Sequence, residues 1–393
     1  MGSAILIIVL SIEKVVRMFS FGIEHEVAFF NSSGKLADFN RTKFSDFQQI
    51  IDQLPVYPND NLQLRIGDSG IRKKRWYIEG FERFANFEHK RLVDCIPKGI
   101  EIRTTIHNNI ENTIAEITKS FNLLRNLALK FDYEPVLISF NPYSPVFSPK
   151  VSLNDYEVRY LQSHPEEQNA SIYMVTYGPD INISISGMSP DEIINIGRKL
   201  TYYSPYIVPF SYSSPFTEGN LWAGLSVRTF YRTGKRPSAL VFVENQEQLI
   251  SSNPKLTKLA RIPAEIGRIE FKAFDSCDDF SLYAGFFALL KGLILDTSLL
   301  GKATVPDAEL HRFSAKYGLH CEDIFNKSQE ILQAAENALG EDLDCRYLEP
   351  LKRILQTKET QADRMIQQFK QTGSIEDVLK LTYKDTTWRS ILS

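Results

Sequence analysis

The run Phe21-Gly22-Ile23-Glu24-His25-Glu26-Val27-Ala28-Phe29-Phe30 sets two carboxylates two residues apart in an otherwise apolar, strand-like segment. Alternate residues of a strand project to the same face, so Glu24 and Glu26 point together and His25 points away. Two acids held side by side against apolar neighbours repel unless a hard cation lies between them. The plainer alternative is the wet face of an antiparallel strand. Two later segments repeat the pattern: Ile100-Glu101-Ile102-Arg103-Thr104, approached through Asp94-Cys95-Ile96-Pro97-Lys98-Gly99, and Arg268-Ile269-Glu270-Phe271-Lys272-Ala273-Phe274-Asp275. Strands that each present Glu on one face would line a floor of carboxylates, and oxygen-only clusters suit Mg2+ or Mn2+ and suit zinc poorly. Glu24, Glu26, Glu101 and Glu270 are therefore the candidate metal ligands.

The elements that must position these acids are legible in the periodicity. Ile110, Ile114, Ile117, Phe121, Leu124 and Phe131 recur at helical spacing, which predicts a core-facing helix over residues 108–131. Strands are expected at 135–140, 181–186 and 240–243. Ser189-Pro190-Asp191-Glu192 is a capping box with Pro at the first helical position, starting a helix to about residue 203. From Phe280 onward helical patterns dominate. Strands and helices in this order, without regular β-α-β units, predict an α+β layer architecture.

Of 393 residues 43% are hydrophobic and 12% aromatic, enough for a sizeable core. No linker or charge block divides the chain, so residues 18–393 are expected to form one domain whose part from about 280 is helical. A net charge of −3 offers no broad basic field for nucleic acid. Cys95, Cys277, Cys321 and Cys345 form neither a disulfide framework nor a zinc motif, which suits a reducing cytoplasm. Residues 4–10 are apolar but far shorter than the roughly 20 a membrane span needs, and they lack a secretory n-region. Residues 1–17 are expected to be an extension, arising from an upstream mis-start or forming an accessory strand or helix. No phosphate-binding G-x-x-x-x-G-K-[ST], G-x-S-x-G or H-E-x-x-H pattern occurs, and the six histidines show no ligand spacing.

The G-I-E-x-E opening, the E-I-R-T strand, Ser213-Ser214-Pro215-Phe216-Thr217-Glu218-Gly219 running on to Gly224-Leu225-Ser226-Val227-Arg228, and the E-x-K-x-x-D strand come in one order. In that order the chain resembles type 2 glutamate-cysteine ligases, also called carboxylate-amine ligases, over roughly residues 18 to 390. The resemblance implies a curved, mainly antiparallel sheet like the glutamine synthetase catalytic domain, covered by helices, with ATP and Mg2+ bound over it. It departs in two places. Asp180 stands near the position where the larger bacterial members carry His, although Asn182 and Ser184 match their Asn-x-Ser. Lys272 stands where Arg is usual, and an ammonium does not reproduce a bidentate guanidinium.

The same resemblance assigns roles. Glu24, Glu26, Glu101 and Glu270 would hold the metals, and Asn182 and Ser184 would lie at the nucleotide. Arg228, closing the G-x-S-x-R pattern, and Lys272 would face phosphates or a substrate carboxylate. Asp94 is a candidate helper for the attacking amine. Arg72 and Lys74, in the basic cluster ahead of Trp76-Tyr77-Ile78-Glu79, are either a solvated turn or further phosphate contacts. The implied activity is ATP-dependent ligation of glutamate to cysteine through a γ-glutamyl phosphate. A ligase with another amine acceptor, or a binding protein that kept the fold without turnover, remains the alternative. Small-molecule substrates are the expected partners, with no membrane or nucleic acid, and a homodimer is compatible with the resemblance.

Overall fold

Strand β1 (Phe19–Phe30) is the axis of the sheet, because its strict alternation buries Phe21, Ile23, His25 and Val27 on one side and leaves Gly22, Glu24 and Glu26 half-buried on the other. The computed structural model describes residues 18–58, 60, 75–86, 92–163 and 170–384. Residues 1–17, Arg72 and Lys74 lie outside the described residues, and with them the expected extension and basic cluster.

Around β1 run β2 (Trp76–Phe84), β3 (Leu92–Arg103), β4 (Glu134–Val136), β5 (Pro179–Ile185), a small hairpin of β6 (Phe216–Thr217) and β7 (Asn220–Leu221), β8 (Ala239–Val243), β9 (Thr257–Leu259) and β10 (Ile269–Phe271). The main sheet has the order β2-β3-β1-β5-β10-β8-β9, with β4 beside the far end of β1. Every pair is antiparallel except β8 with β9. The sheet curls into a half-barrel covered by helices. A bulge between β2 and β3, where Glu79 pairs with Gly99 but Gly80 with Pro97, contributes local bending at one edge.

The described α-helices longer than one turn are α1 (Phe44–Gln53), α2 (Ile110–Ala128), α3 (Asp155–Ser163), α4 (Pro190–Ile207), α5 (Val227–Arg232) and α6 (Phe280–Leu295), followed by α7 (Ala308–Tyr317), α8 (Glu322–Leu339), α9 (Glu349–Thr357), α10 (Gln361–Thr372) and α11 (Ile375–Lys384). Helix α6 is apolar on nearly every side and lies in the middle of the core. Its Phe287 meets Phe21 edge-on at 5.5 Å, and its Phe280 meets His25 at 5.9 Å and Phe121 of α2 at 5.5 Å. On its other side α6 packs on α8, and there Gly292 is required: a Cβ would come within 2.6 Å of the Ala335 carbonyl oxygen.

The capping box at Ser189 forms as expected, and α4 runs on to Ile207 past Pro205. The helix expected at 108–131 is α2 plus one 3-10 turn at Leu129–Phe131. The strand expected at 135–140 is regular only in β4; beyond it Phe140 makes an isolated bridge to Thr176. An apolar run alone does not specify a ladder where no partner strand continues beside it. Among the described residues no helix is long and apolar enough to cross a membrane.

Candidate active site

Register across the sheet places the acids. Glu26 lies opposite Glu101 on β3, Glu101 opposite Tyr77 on β2, and Glu79 follows two residues along the same face. One carboxylate oxygen from each of Glu26, Glu79 and Glu101 lies within 4.8 Å of the others. Glu101 is only 5% exposed, and its Oε1 is buried with no hydrogen-bond partner. Burial, then the charges of Glu24, Glu79 and Glu26, push its carboxyl well above the ordinary carboxylate range. The Glu79 side chain has no ion pair or hydrogen bond among the described residues. An unpartnered buried carboxylate beside two others is costly. A hard divalent cation would relieve it, and the all-oxygen donor set fits Mg2+ or Mn2+.

Glu26 is already half used. Its Oε1 accepts from Lys98 Nζ at 2.7 Å, and its Oε2 accepts the Gly178 N–H at 3.1 Å. Lys98 is the extra residue of the β2–β3 bulge, which turns its side chain towards Glu26. Its ammonium also donates to the carbonyl oxygens of Tyr173 at 2.7 Å and Thr176 at 2.8 Å. Burial raises the Glu26 carboxyl, opposed by Lys98.

The other expected ligands face a different environment. Glu24 pairs across β5 with Asp180, and Asn182 pairs with both Gly22 and Glu270. Lys272 Nζ donates to Asp180 and to Glu270 at once. Arg268 reaches the second oxygen of Glu270 at 3.0 Å and Glu24 at 3.5 Å, and stacks 4.1 Å over the Phe242 ring. Burial would raise Glu270, but Lys272 and Arg268 outweigh it and hold its carboxyl at about 2. Burial would likewise lower Lys272, and Asp180 and Glu270 raise it instead. The structure therefore does not gather Glu24, Glu26, Glu101 and Glu270 into one cluster. Glu26 and Glu101 join Glu79, whereas Glu24 and Glu270 join cationic side chains.

Arg228, on α5, is buried and donates to the carbonyl oxygens of Ala273 and Lys272, each at 3.0 Å, with Asp275 at 3.7 Å. It crosses behind Gly178, where a Cβ would approach Arg228 Nη2 to 2.5 Å. These two hydrogen bonds hold the backbone just past β10. One turn on, Arg232 is 7% exposed and has no ion pair or side-chain hydrogen bond among the described residues. Burial and the neighbouring Arg228 and Arg236 lower it well below the usual guanidinium range, while Asp180 and Glu26 pull the other way. Asp94 is not brought to the site. It is exposed, accepts the Cys95 N–H at 2.8 Å, and stands seven residues up β3 from Glu101, roughly 20 Å at about 3.3 Å per strand residue.

Asn182 and Ser184 line a pocket on the same face together with Ser20, Gly22, Glu24 and Arg103, closed on another side by Ile262 and Ala264. The Asn182 Oδ1 is buried without a partner. Ser20 and Glu26 are six residues apart on β1, so pocket and acid cluster lie end to end over roughly 20 Å of strand. His25 points away, as expected: it is fully buried against Phe280 and Tyr283, and burial lowers it to about 4. Cys277 is buried, and burial raises its thiol well above the ordinary range.

No protein-family model and no curated protein matches the chain. Its fold is similar to a bifunctional glutathione synthetase from Pasteurella multocida, at a TM-score of 0.56 and 13% identity over 93% of this chain and 52% of that one. It is also similar to the glutamate–cysteine ligase of Francisella tularensis in complex with AMP, at 0.55 and 12% over 95% of this chain and 90% of that one. A third likeness, at 0.53 and 12% over 95% and 73%, is to PafA, the ligase of the prokaryotic ubiquitin-like protein Pup, in their complex. The chain spans about half the length of the synthetase. At these identities the likeness is one of fold.

Proposed function

We propose that the chain is an ATP-dependent carboxylate–amine ligase which activates the γ-carboxyl of glutamate as an acyl phosphate and passes it to the amine of cysteine. The observation that carries this reading is Glu101, which has a buried oxygen without a partner and a carboxylate oxygen within 4.8 Å of those of Glu26 and Glu79, on the sheet of a fold similar to that of a ligase. Bound Mg2+ or Mn2+ would bridge phosphate oxygens and offset charge on the moving phosphoryl group.

Glu26, Glu79 and Glu101 hold that cation, and Lys98 fixes the orientation of Glu26. Asn182 and Ser184 contact the nucleotide at the pocket end of β1. Arg232 takes an anionic group opposite the acids, either a phosphate or the carboxylate of a substrate. Arg228 acts one step back, by fixing the backbone that carries Lys272. Arg72 and Lys74 would add contacts to a phosphate or to the substrate carboxylate. Activation converts a poor leaving group into phosphate, so positioning and electrostatics supply most of the rate and no covalent enzyme intermediate is needed. Four cysteines, all free, suit work in a reducing cytoplasm.

Hydroxylamine tests this reading. With ATP, Mg2+ and glutamate together it should intercept the acyl phosphate as a hydroxamate, with ADP released in proportion. Cysteine should divert the intermediate to a γ-glutamyl dipeptide. ADP without a gain from cysteine would discard that acceptor and keep the ligase. No hydroxamate with any amino acid, from protein that binds ATP, would favour a binding protein that retains the fold.

A further inference from the structure

The acid face carries two lysines in different relations to their carboxylates, and the difference sets how many metal ions the face can take. Around Glu26, Glu79 and Glu101, Lys98 supplies one positive charge, and of the three carboxylates it bonds only that of Glu26. With all three acids ionised, three carboxylates and one ammonium leave two negative charges, the complement of a single divalent ion. Glu101 offers a buried oxygen with no partner, and Glu79 a half-buried carboxylate with none.

Around Glu24, Asp180 and Glu270 the cations are already built in. Lys272 bridges Asp180 and one oxygen of Glu270, Arg268 takes the other oxygen of Glu270 at 3.0 Å and reaches Glu24 at 3.5 Å, and Phe242 backs the guanidinium. The side chains of Glu270 and Lys272 are 7% and 15% exposed, so an ion entering here would first have to strip largely desolvated, hydrogen-bonded ion pairs.

The geometry points to Lys272 as a resident cation that stands where a second metal ion would bridge Glu270 and Asp180, so that the protein itself binds one divalent ion, on Glu26, Glu79 and Glu101, before nucleotide arrives. This rests on the proposed ligase reading of the acid face, which requires at least one ion there. An ammonium centred between two carboxylates has the charge and reach to play that part, but it cannot exchange or open a coordination position. Any further ion must then be brought by the phosphates of the nucleotide.

Mn2+ titration of the full chain, followed by electron paramagnetic resonance in the absence of nucleotide, reads the number of ions directly. The expected result is one Mn2+ per chain, without the dipolar broadening of a close ion pair. Glu79→Gln should weaken that binding at least tenfold, whereas Glu270→Gln should leave its stoichiometry and affinity within about twofold. Lys272→Ala should create a second, weaker Mn2+ site on Asp180 and Glu270. Two ions in the wild-type chain, or loss of the first ion in Glu270→Gln, would overturn the inference and leave the ligase reading standing. No Mn2+ binding at all would overturn both.

Discussion

Replacing Glu101 by Gln should stabilise the metal-free protein and at the same time abolish its stabilisation by metal. Carboxylate oxygens within 4.8 Å of one another repel by about 3.5 kcal/mol or more at an effective dielectric near 20. Burial and the neighbouring acids raise the Glu101 carboxyl well above 4.5, so that protonation relieves this repulsion over part of the pH range. The sign follows from linkage. Below 4.5 folded and unfolded chains both carry the proton and no penalty exists. As pH rises past that value the unfolded carboxyl ionises first, and stability falls until the folded pKa is passed. Gln cannot ionise, so the advantage of Glu101→Gln in chelator should be near zero at pH 4 and grow towards pH 8. About 1–2 kcal/mol is expected, the scale of a buried unsatisfied polar group, or roughly 1–2.5 °C in Tm for a chain of this length. Mn2+ at a hundred times Kd should stabilise the wild type by about 2.7 kcal/mol and the variant not at all. Thermal melts at both pH values, with chelator and with Mn2+, measure all four quantities. A variant that melts below the wild type at pH 8 in chelator, or that keeps the Mn2+ shift, would refute the reasoning.

Arg232→Met should remove the anion contact without harming the apo fold, lowering ATP or substrate affinity tenfold or more while Tm without ligand holds or rises; unchanged affinity in calorimetry would remove Arg232 from the site. Arg228→Met should cost about 3 kcal/mol of stability with or without ligand, because it orphans buried carbonyls at the end of β10. Gly178→Ala should act in the same direction through the 2.5 Å clash with Arg228, and an unchanged Tm in both would argue that Arg228 is no clamp. His25 is held neutral by burial at about 4 against an ordinary 6.5, so it contributes stability above pH 6.5 that is lost as pH falls through 4, on the order of 3 kcal/mol at most. His25→Phe should flatten the acid side of the Tm profile, and an identical profile would show that other groups dominate it.

The period-2 alternation of β1 was enough to put Glu24 and Glu26 on one face and His25 behind it, because one side of that strand is packed by α6. The capping box marked the start of α4 for the same local reason: both hydrogen bonds of the box close within four residues. What the chain order hides is register. Glu79 sits in the β-type run after Trp76, yet only the pairing of β2 with β3 shows that it, rather than Glu24 or Glu270, meets Glu101. Lys98 was invisible as a site residue because its direction is set by a bulge. Arg228 and Arg232 differ by about one helical turn, and only tertiary packing shows that the first bonds to backbone while the second has no partner among the described residues. Asp94 failed for a metric reason, since seven strand residues span too far to act beside Glu101.

Oxygen transfer tests the central claim most directly. Glutamate labelled with oxygen-18 in its γ-carboxyl is incubated with the full chain, ATP, Mg2+ and cysteine, and the inorganic phosphate released is analysed by mass spectrometry. If the carboxylate attacks the γ-phosphorus and the amine then displaces phosphate from the acyl carbon, each phosphate formed must carry one labelled oxygen from glutamate. Phosphate released without label, while ATP is consumed, would mean that water rather than the carboxylate receives the phosphoryl group, and would contradict the account.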